Sequence, residues 1–121
     1  MLSGADTIVA CSSPPGRGAI SLIRMSGNKA LSIIQKITKN KLKKQISVVN
    51  FPLNADLIEK CVLTIFRSPN SYTGEDIVEI STHGNPLIVE EVIKKCLKLG
   101  AKIAKPGEFT LRAFLNNKLS L

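Results

Sequence analysis

Hydrophobic and polar positions along the chain change period several times, and each change marks an element. "TIVACS" is a short apolar run closed by the Pro/Gly-rich "PPGRG", the pattern of a strand ended by a turn. "AISLIRMS" alternates, placing Ile20, Leu22 and Arg24 on one side of a strand and Ser21, Ile23 and Met25 on the other. Helical spacing follows in Ala30, Leu31, Ile34 and Ile37, with Ser26 or Asn28 placed to cap it. "ISVVNF" and "LIEKCVLTIF" read as strands, the second long and rich in β-branched residues, and "DIVEIST" reads as another. The next helix is the best signalled. Asn85 stands at its cap, and Pro86 takes the first helical position, where a missing N–H costs nothing. Val89, Val92, Ile93, Cys96 and Leu97 form its apolar stripe, and Glu90 and Glu91 precede Lys94 and Lys95 by one turn. Gly100 after Leu99 supplies a left-handed stop. After "AKIA", "PGEFTLRAFLNNKLSL" reads as a turn and a last helix without a stop signal.

Strands and helices follow one another at irregular spacing, with no internal repeat and no linker. The pattern predicts an α+β domain, a mixed β-sheet packed with about three helices. With 121 residues, a single domain over 1–121 is expected.

Composition adds limits. Hydrophobic residues make up 44% and charged residues 21%, which is globular rather than disordered material. The net charge of +8 bears on association and not on fold. Lys36, Lys39, Lys41, Lys43 and Lys44 crowd a helix end and loop. This stretch reads as a solvated basic loop, because aromatic partners for single-stranded nucleic acid are missing nearby. Cys11, Cys61 and Cys96 lack CxxC spacing, so neither a disulfide framework nor a zinc site is expected. They read as buried free thiols of a reducing cytoplasm. No apolar run approaches the roughly 20 residues of a membrane span, and the N-terminus has no signal-peptide pattern. A soluble, cytoplasmic domain is the expectation.

Candidate chemistry narrows quickly. "PPGRG" lacks both G-x-x-x-x-G-K-[ST] and G-x-G-x-x-G, so its glycines read as a tight turn. His83 is the one histidine, which excludes a His-based metal site and leaves a triad unsupported; it reads as a polar group closing a strand-to-helix turn. Glu75 and Asp76, adjacent at a strand edge, read as solvent-facing rather than metal-binding. Arg24 and Glu79 differ, since each sits inside a strand among apolar neighbours. Two readings stay open: a structural ion pair between strands, or a carboxylate and a guanidinium facing a ligand. A carboxylate can accept two parallel N–H bonds from a planar ring edge, and a guanidinium returns them to a carboxylate ligand.

"DTIVACSSPPGRGAISLIRMSG", "PNSYTGEDIVEISTHGNP" and "KPGEFTLRAFLNNKLSL" together resemble the N-terminal domain of the MnmE (TrmE) family of tRNA modification GTPases. The resemblance runs from about Asp6 to the last residue, with the lysine-rich middle least informative. Departures are small: "GRGAI" lacks a second glycine after GRG, and "HGNP" and "NNKLSL" stand for HGGP and something like NGKLDL. Members of the family carry this domain, a helical domain, and a GTPase domain inserted in the latter. With the FAD-dependent partner MnmG they modify C5 of the wobble uridine of certain tRNAs. The resemblance implies a fold like that of the folate-binding aminomethyltransferases, a homodimer, and a bound tetrahydrofolate derivative (5-formyltetrahydrofolate-like) as one-carbon source. Matched by motif, the family's folate contacts fall on Arg24 in "LIRMSG", Glu79 in "DIVEI" and Lys118 in "LNNKL". GTP, Mg and K are implied for the GTPase domain, whose motifs this sequence lacks, so a non-catalytic binding domain is expected. Two rival readings are a purely structural dimerisation module and a basic tRNA-binding surface without folate.

Overall fold

The computed structural model describes residues 5–13 and 18–119. In chain order its elements are β1 (Ile8–Cys11), β2 (Ile20–Ser26), α1 (Ala30–Thr38), β3 (Ile46–Pro52), β4 (Ile58–Phe66), β5 (Ile77–His83), α2 (Pro86–Lys98), β6 (Lys102–Ile103) and α3 (Glu108–Leu115). Among the described residues the strands form one six-stranded sheet in the order β3-β4-β5-β2-β1-β6. Neighbours pair antiparallel, except that β6 runs parallel to β1. A mixed sheet with three helices is the α+β arrangement that the sequence pattern predicts.

Alternation along the strands decides which face is covered. Ile23 and Met25 of β2, Val78 and Ile80 of β5, and Cys61, Leu63 and Ile65 of β4 are buried. They form one core with Ala30, Ile33, Ile34 and Ile37 of α1 and Val92 and Cys96 of α2. The period of two sends the intervening residues to the opposite face. Leu22, Arg24, Glu79, Ser81 and Val62 therefore point away from α1 and α2, and register sets Arg24 directly opposite Glu79. Ile20, Ile46, Val48, Ile58 and Val62 stay exposed on this second face. The first turn of α3 and the loop carrying Tyr72 approach it around Arg24.

Several local expectations change. Neither Ser26 nor Asn28 caps α1. Lys29 takes the cap position without a side-chain bond, and its N–H donates instead to Thr7 Oγ1 at 2.9 Å. The reason is close packing at Gly27, where a Cβ would stand 2.5 Å from that same oxygen. Ser26, meanwhile, is buried and turned to Glu75 and Thr73. The α2 signals hold: Asn85 accepts the Leu87 N–H at 2.9 Å, Pro86 opens the helix, and Gly100 follows with φ 113°. "AKIA" contains the two-residue β6, too short to show alternation. The last helix does stop, at Leu115, with Asn117 in the left-handed region at φ 60°. Pro14 to Arg17, the heart of "PPGRG", lie outside the described residues. The neighbouring Gly18 is pressed against Gly84, where a Cβ would meet the Gly18 carbonyl oxygen at 1.9 Å.

The largest correction concerns Glu75, which is 2% exposed rather than solvent-facing. Its Oε1 accepts from Ser26 Oγ (2.7 Å) and Arg112 Nη1 (3.1 Å), and its Oε2 from Arg112 Nη1 (3.2 Å). Arg112 Nη2 reaches Glu108 Oε2 at 3.3 Å. Asp76 is half-buried and accepts the Ser68 N–H. Cys61 and Cys96 are buried as expected, whereas Cys11 is partly exposed.

Two predictions follow from this packing. Arg112→Met leaves a buried carboxylate without its cation and should cost about 3–5 kcal/mol, read from denaturant unfolding; a loss below about 1 kcal/mol would show that the pair holds nothing. Burial pushes the Cys61 thiol up to about 12, with Glu59 adding to it, and burial alone pushes Cys96 to about 12. Because the thiolate is the nucleophile, both should stay protonated and unlabelled in the native chain at pH 8. A disulfide reagent should then titrate about one thiol, Cys11, before unfolding and all three after it; equal native labelling of the three is the opposing result.

Candidate functional site

The face without α1 and α2 carries the residues that the sequence singled out. Arg24 lies mid-way along β2 and Glu79 mid-way along β5, so the register alone brings them together. Arg24 Nε and Nη2 donate to Glu79 Oε2 at 3.0 and 2.8 Å. Their side chains retain 24% and 20% of their exposure, so the pair is shielded but open on one side. Among the described residues Glu79 Oε1 accepts no hydrogen bond and Arg24 Nη1 donates none.

Two rings flank the guanidinium. Its carbon lies 5.6 Å from the centroid of Tyr72 and 5.7 Å from that of Phe109, within cation–π range. The sequence has one Tyr and four Phe, and two of these five rings converge here. Tyr72 belongs to the loop between β4 and β5, Phe109 to the first turn of α3, and a Tyr72 Oη–Thr110 Oγ1 bond of 3.0 Å ties the two walls. The loop and α3 are held further by the Glu75–Arg112 pair and by Asn116 Nδ2 donating to the Thr73 carbonyl at 2.7 Å. The α3 entry is braced by the Lys105 N–H donating to Glu108 Oε1 at 2.8 Å. Beside Arg24 opens a cavity of about 440 Å³, bounded by the end of β1 (Cys11, Ser12), Tyr72, the turn at Lys105–Gly107 and Phe109.

Lys118 lies apart from the pair. It is exposed, its N–H is held by the Ala113 carbonyl at 2.8 Å, and its Cγ packs 3.4 Å from where a Cβ on Gly74 would stand. It thus borders the same loop that presents Tyr72, at Gly74, without an ion pair to Glu79 among the described residues. His83 closes β5 as expected. Its Nδ1 and its own N–H both meet Glu59 Oε2 at 2.8 Å, which fixes the ring while leaving it largely exposed. The described residues hold no cluster of three or more His, Cys, Asp or Glu able to bind a metal.

Chemically, the arrangement is able to bind rather than to react. A carboxylate with one free oxygen, a guanidinium with a free amino group and two ring walls suit a planar, polar-edged ligand that also carries negative charge. Sequence pattern reaches Arg24 and Glu79 because a charge inside a strand is anomalous. Tyr72, Phe109 and Arg112 escape it, since each lies in a loop or helix where such residues are ordinary. Their scarcity as aromatics was the available signal for the first two.

Comparison with known proteins gives a consistent result. A tRNA modification GTPase MnmE of Francisella philomiragia subsp. philomiragia is 51% identical over 117 residues, covering 96% of this chain and 26% of the relative. The MnmE proteins of Francisella tularensis subsp. holarctica (strain OSU18) and subsp. tularensis (strain FSC 198) match at 51% and 50%, with the same coverage. The chain thus spans about a quarter of the length of these curated relatives. Residues 7–118 match the family described as GTP-binding protein TrmE N-terminus. With that match across nearly its whole length, the chain belongs to the TrmE N-terminal family.

Proposed function

We propose that this chain is the folate-binding and dimer-forming domain of a tRNA modification GTPase, itself without catalytic groups. In this reading the whole protein hydrolyses GTP, works with MnmG in the cytoplasm, and modifies C5 of the wobble uridine of tRNA. What supports it from the relatives is their name, tRNA modification GTPase. No helix among the described residues is long and apolar enough to cross a membrane.

The observation that carries the folate reading is the partly open Arg24–Glu79 pair between the rings of Tyr72 and Phe109. A pterin edge presents an amino group and a ring N–H side by side; Glu79 Oε1 is free for one of them, and Oε2 takes the other as the ligand displaces an Arg24 donor. Arg24 and Lys118 supply positive charge for the carbonyl, formyl or glutamate-tail oxygens. A 5-formyltetrahydrofolate-like ligand supplies the one-carbon unit when bound; the residues of this chain bind and orient it. A structural role for the pair is the weaker reading. Half-open ion pairs contribute about 0–1 kcal/mol, too little to explain two charges among apolar strand neighbours.

Ile20, Ile46, Val48, Ile58 and Val62 on the uncovered sheet face support self-association. An apolar face of this extent gains from burial against a twin, at about 25 cal/mol per Å², and a two-fold arrangement closes the contact.

Two measurements test these points. Glu79→Gln keeps shape but turns an acceptor into a donor facing donors; calorimetry with 5-formyltetrahydrofolate should show affinity lowered about ten- to a hundredfold, roughly 1.5–3 kcal/mol. Its melting should change little, and a variant that melts far lower yet binds folate like the parent would sink the assignment. For assembly, sedimentation at tens of micromolar should show a dimer (roughly 800 Å² per partner being the standard interface) and Val48→Lys with Val62→Lys a monomer. A monomeric parent chain refutes this.

A further inference from the structure

The positive charge of this chain is concentrated. Between Asp6 and Asp56 the sequence has no carboxylate, yet Arg17, Arg24, Lys29, Lys36, Lys39, Lys41, Lys43 and Lys44 fall within that interval. Arg24 is matched by Glu79. Most glutamates elsewhere are already engaged: Glu59 with His83, Glu75 and Glu108 with Arg112, Glu90 and Glu91 with Lys94. Among the described residues the lysines from Lys36 to Lys44 form no ion pair.

The segment between α1 and β3 is a built loop. Leu42 is buried in the core in the left-handed region at φ 57°. Its N–H donates to Asn40 Oδ1 at 2.7 Å, and its carbonyl accepts from Arg67 Nη2 at 3.1 Å. Lys39, also left-handed at φ 60°, donates its N–H to the Gln35 carbonyl at 2.9 Å. Exposed Lys41, Lys43 and Lys44 therefore stand on either side of a fixed pivot. A cleft of about 490 Å³ opens beside Lys41, Lys43 and Lys44, its other wall formed by Ile46 and Val48 at the border of the face assigned to self-association, and one of about 260 Å³ lies between Lys44, Phe66, Arg67 and Asn70. The Ser47 hydroxyl in the first cleft is buried and has no hydrogen-bond partner among the described residues.

We propose that this loop is a docking surface for the phosphate backbone of a folded RNA. Uncompensated lysines on a pre-set loop bind a polyanion with little ordering cost, because the backbone is already fixed. Release of condensed counterions from the RNA then supplies most of the affinity. The clefts offer lysines and an arginine but no exposed ring platform, so contact is with phosphates and sugars rather than with bases. The choice of RNA over another polyanion rests on the tRNA-linked reading above; the charge arrangement does not.

Anisotropy of a labelled, unmodified tRNA transcript, titrated with the chain from about 50 to 300 mM KCl, tests this. Lys41→Gln, Lys43→Gln and Lys44→Gln together should lower affinity at least about tenfold at the low-salt end and flatten the log–log salt slope by about two to three. The same positions changed to Arg should bind like the parent. Removing as many charges from α2, with Lys94→Gln, Lys95→Gln and Lys98→Gln, should have a markedly smaller effect. Equal losses in the two triple glutamine variants, or none in the loop variant, overturn the proposal. So does loop-dependent binding to phosphatidylserine vesicles that exceeds binding to tRNA. Unchanged melting shows that the loop variant is folded, and unchanged 5-formyltetrahydrofolate binding by it separates the two surfaces. A parent chain that binds tRNA through the loop but no folate supports this inference while removing the folate reading.

Discussion

The buried pair of Glu75 and Arg112 decides how the uncovered sheet face is used. A carboxylate at 2% exposure is tolerated only because Arg112 and Ser26 satisfy it together. Those three residues come from the loop before β5, from α3 and from the end of β2. The contact therefore fastens three separate stretches of chain at one point. It is the one buried contact among those that hold α3, a helix of only 8 residues; the Tyr72–Thr110 and Asn116–Thr73 bonds lie nearer the surface. Tyr72 and Phe109, which wall Arg24, are delivered by the two stretches that this contact joins.

The two ion pairs on this face accordingly differ in kind. Arg112–Glu75 is closed on all sides and acts as structure. Arg24–Glu79 is open on one side and shares a single carboxylate oxygen, and Arg24 lines the cavity beside it. Closed pairs lock position; half-open pairs are exchangeable, because a ligand can replace one partner's bonds without stranding the other charge. Burial, more than residue type, separates the roles.

Legibility in the sequence follows the range of the forces involved. The main strands and α2 are readable because alternation, β-branching, Asn85 and Pro86 are local signals. Arg24 and Glu79 are readable as anomalies in such a pattern, though their mutual pairing depends on register. Glu75 is not, since the partner that buries it lies 37 residues away. β6 is invisible at two residues. The same holds for Tyr72 and Phe109, whose meeting place is a product of tertiary structure. Lys118 enters only through resemblance, because an exposed lysine after a helix carries no pattern of its own.

The hydroxyl of Thr7 at the start of α1 has a consequence for how the chain reaches this structure. A helix ordinarily carries its cap in the neighbouring sequence and can begin to form alone. Here the cap is supplied across 22 residues, from the residue just before β1. The Lys29 N–H finds this partner only when β1 has docked beside β2, so the start of α1 and the closure of the sheet stabilise one another. Contacts of that separation make nucleation late and broad rather than early and local. The N-terminal half of the sheet and the helix above it thus form a single unit of assembly.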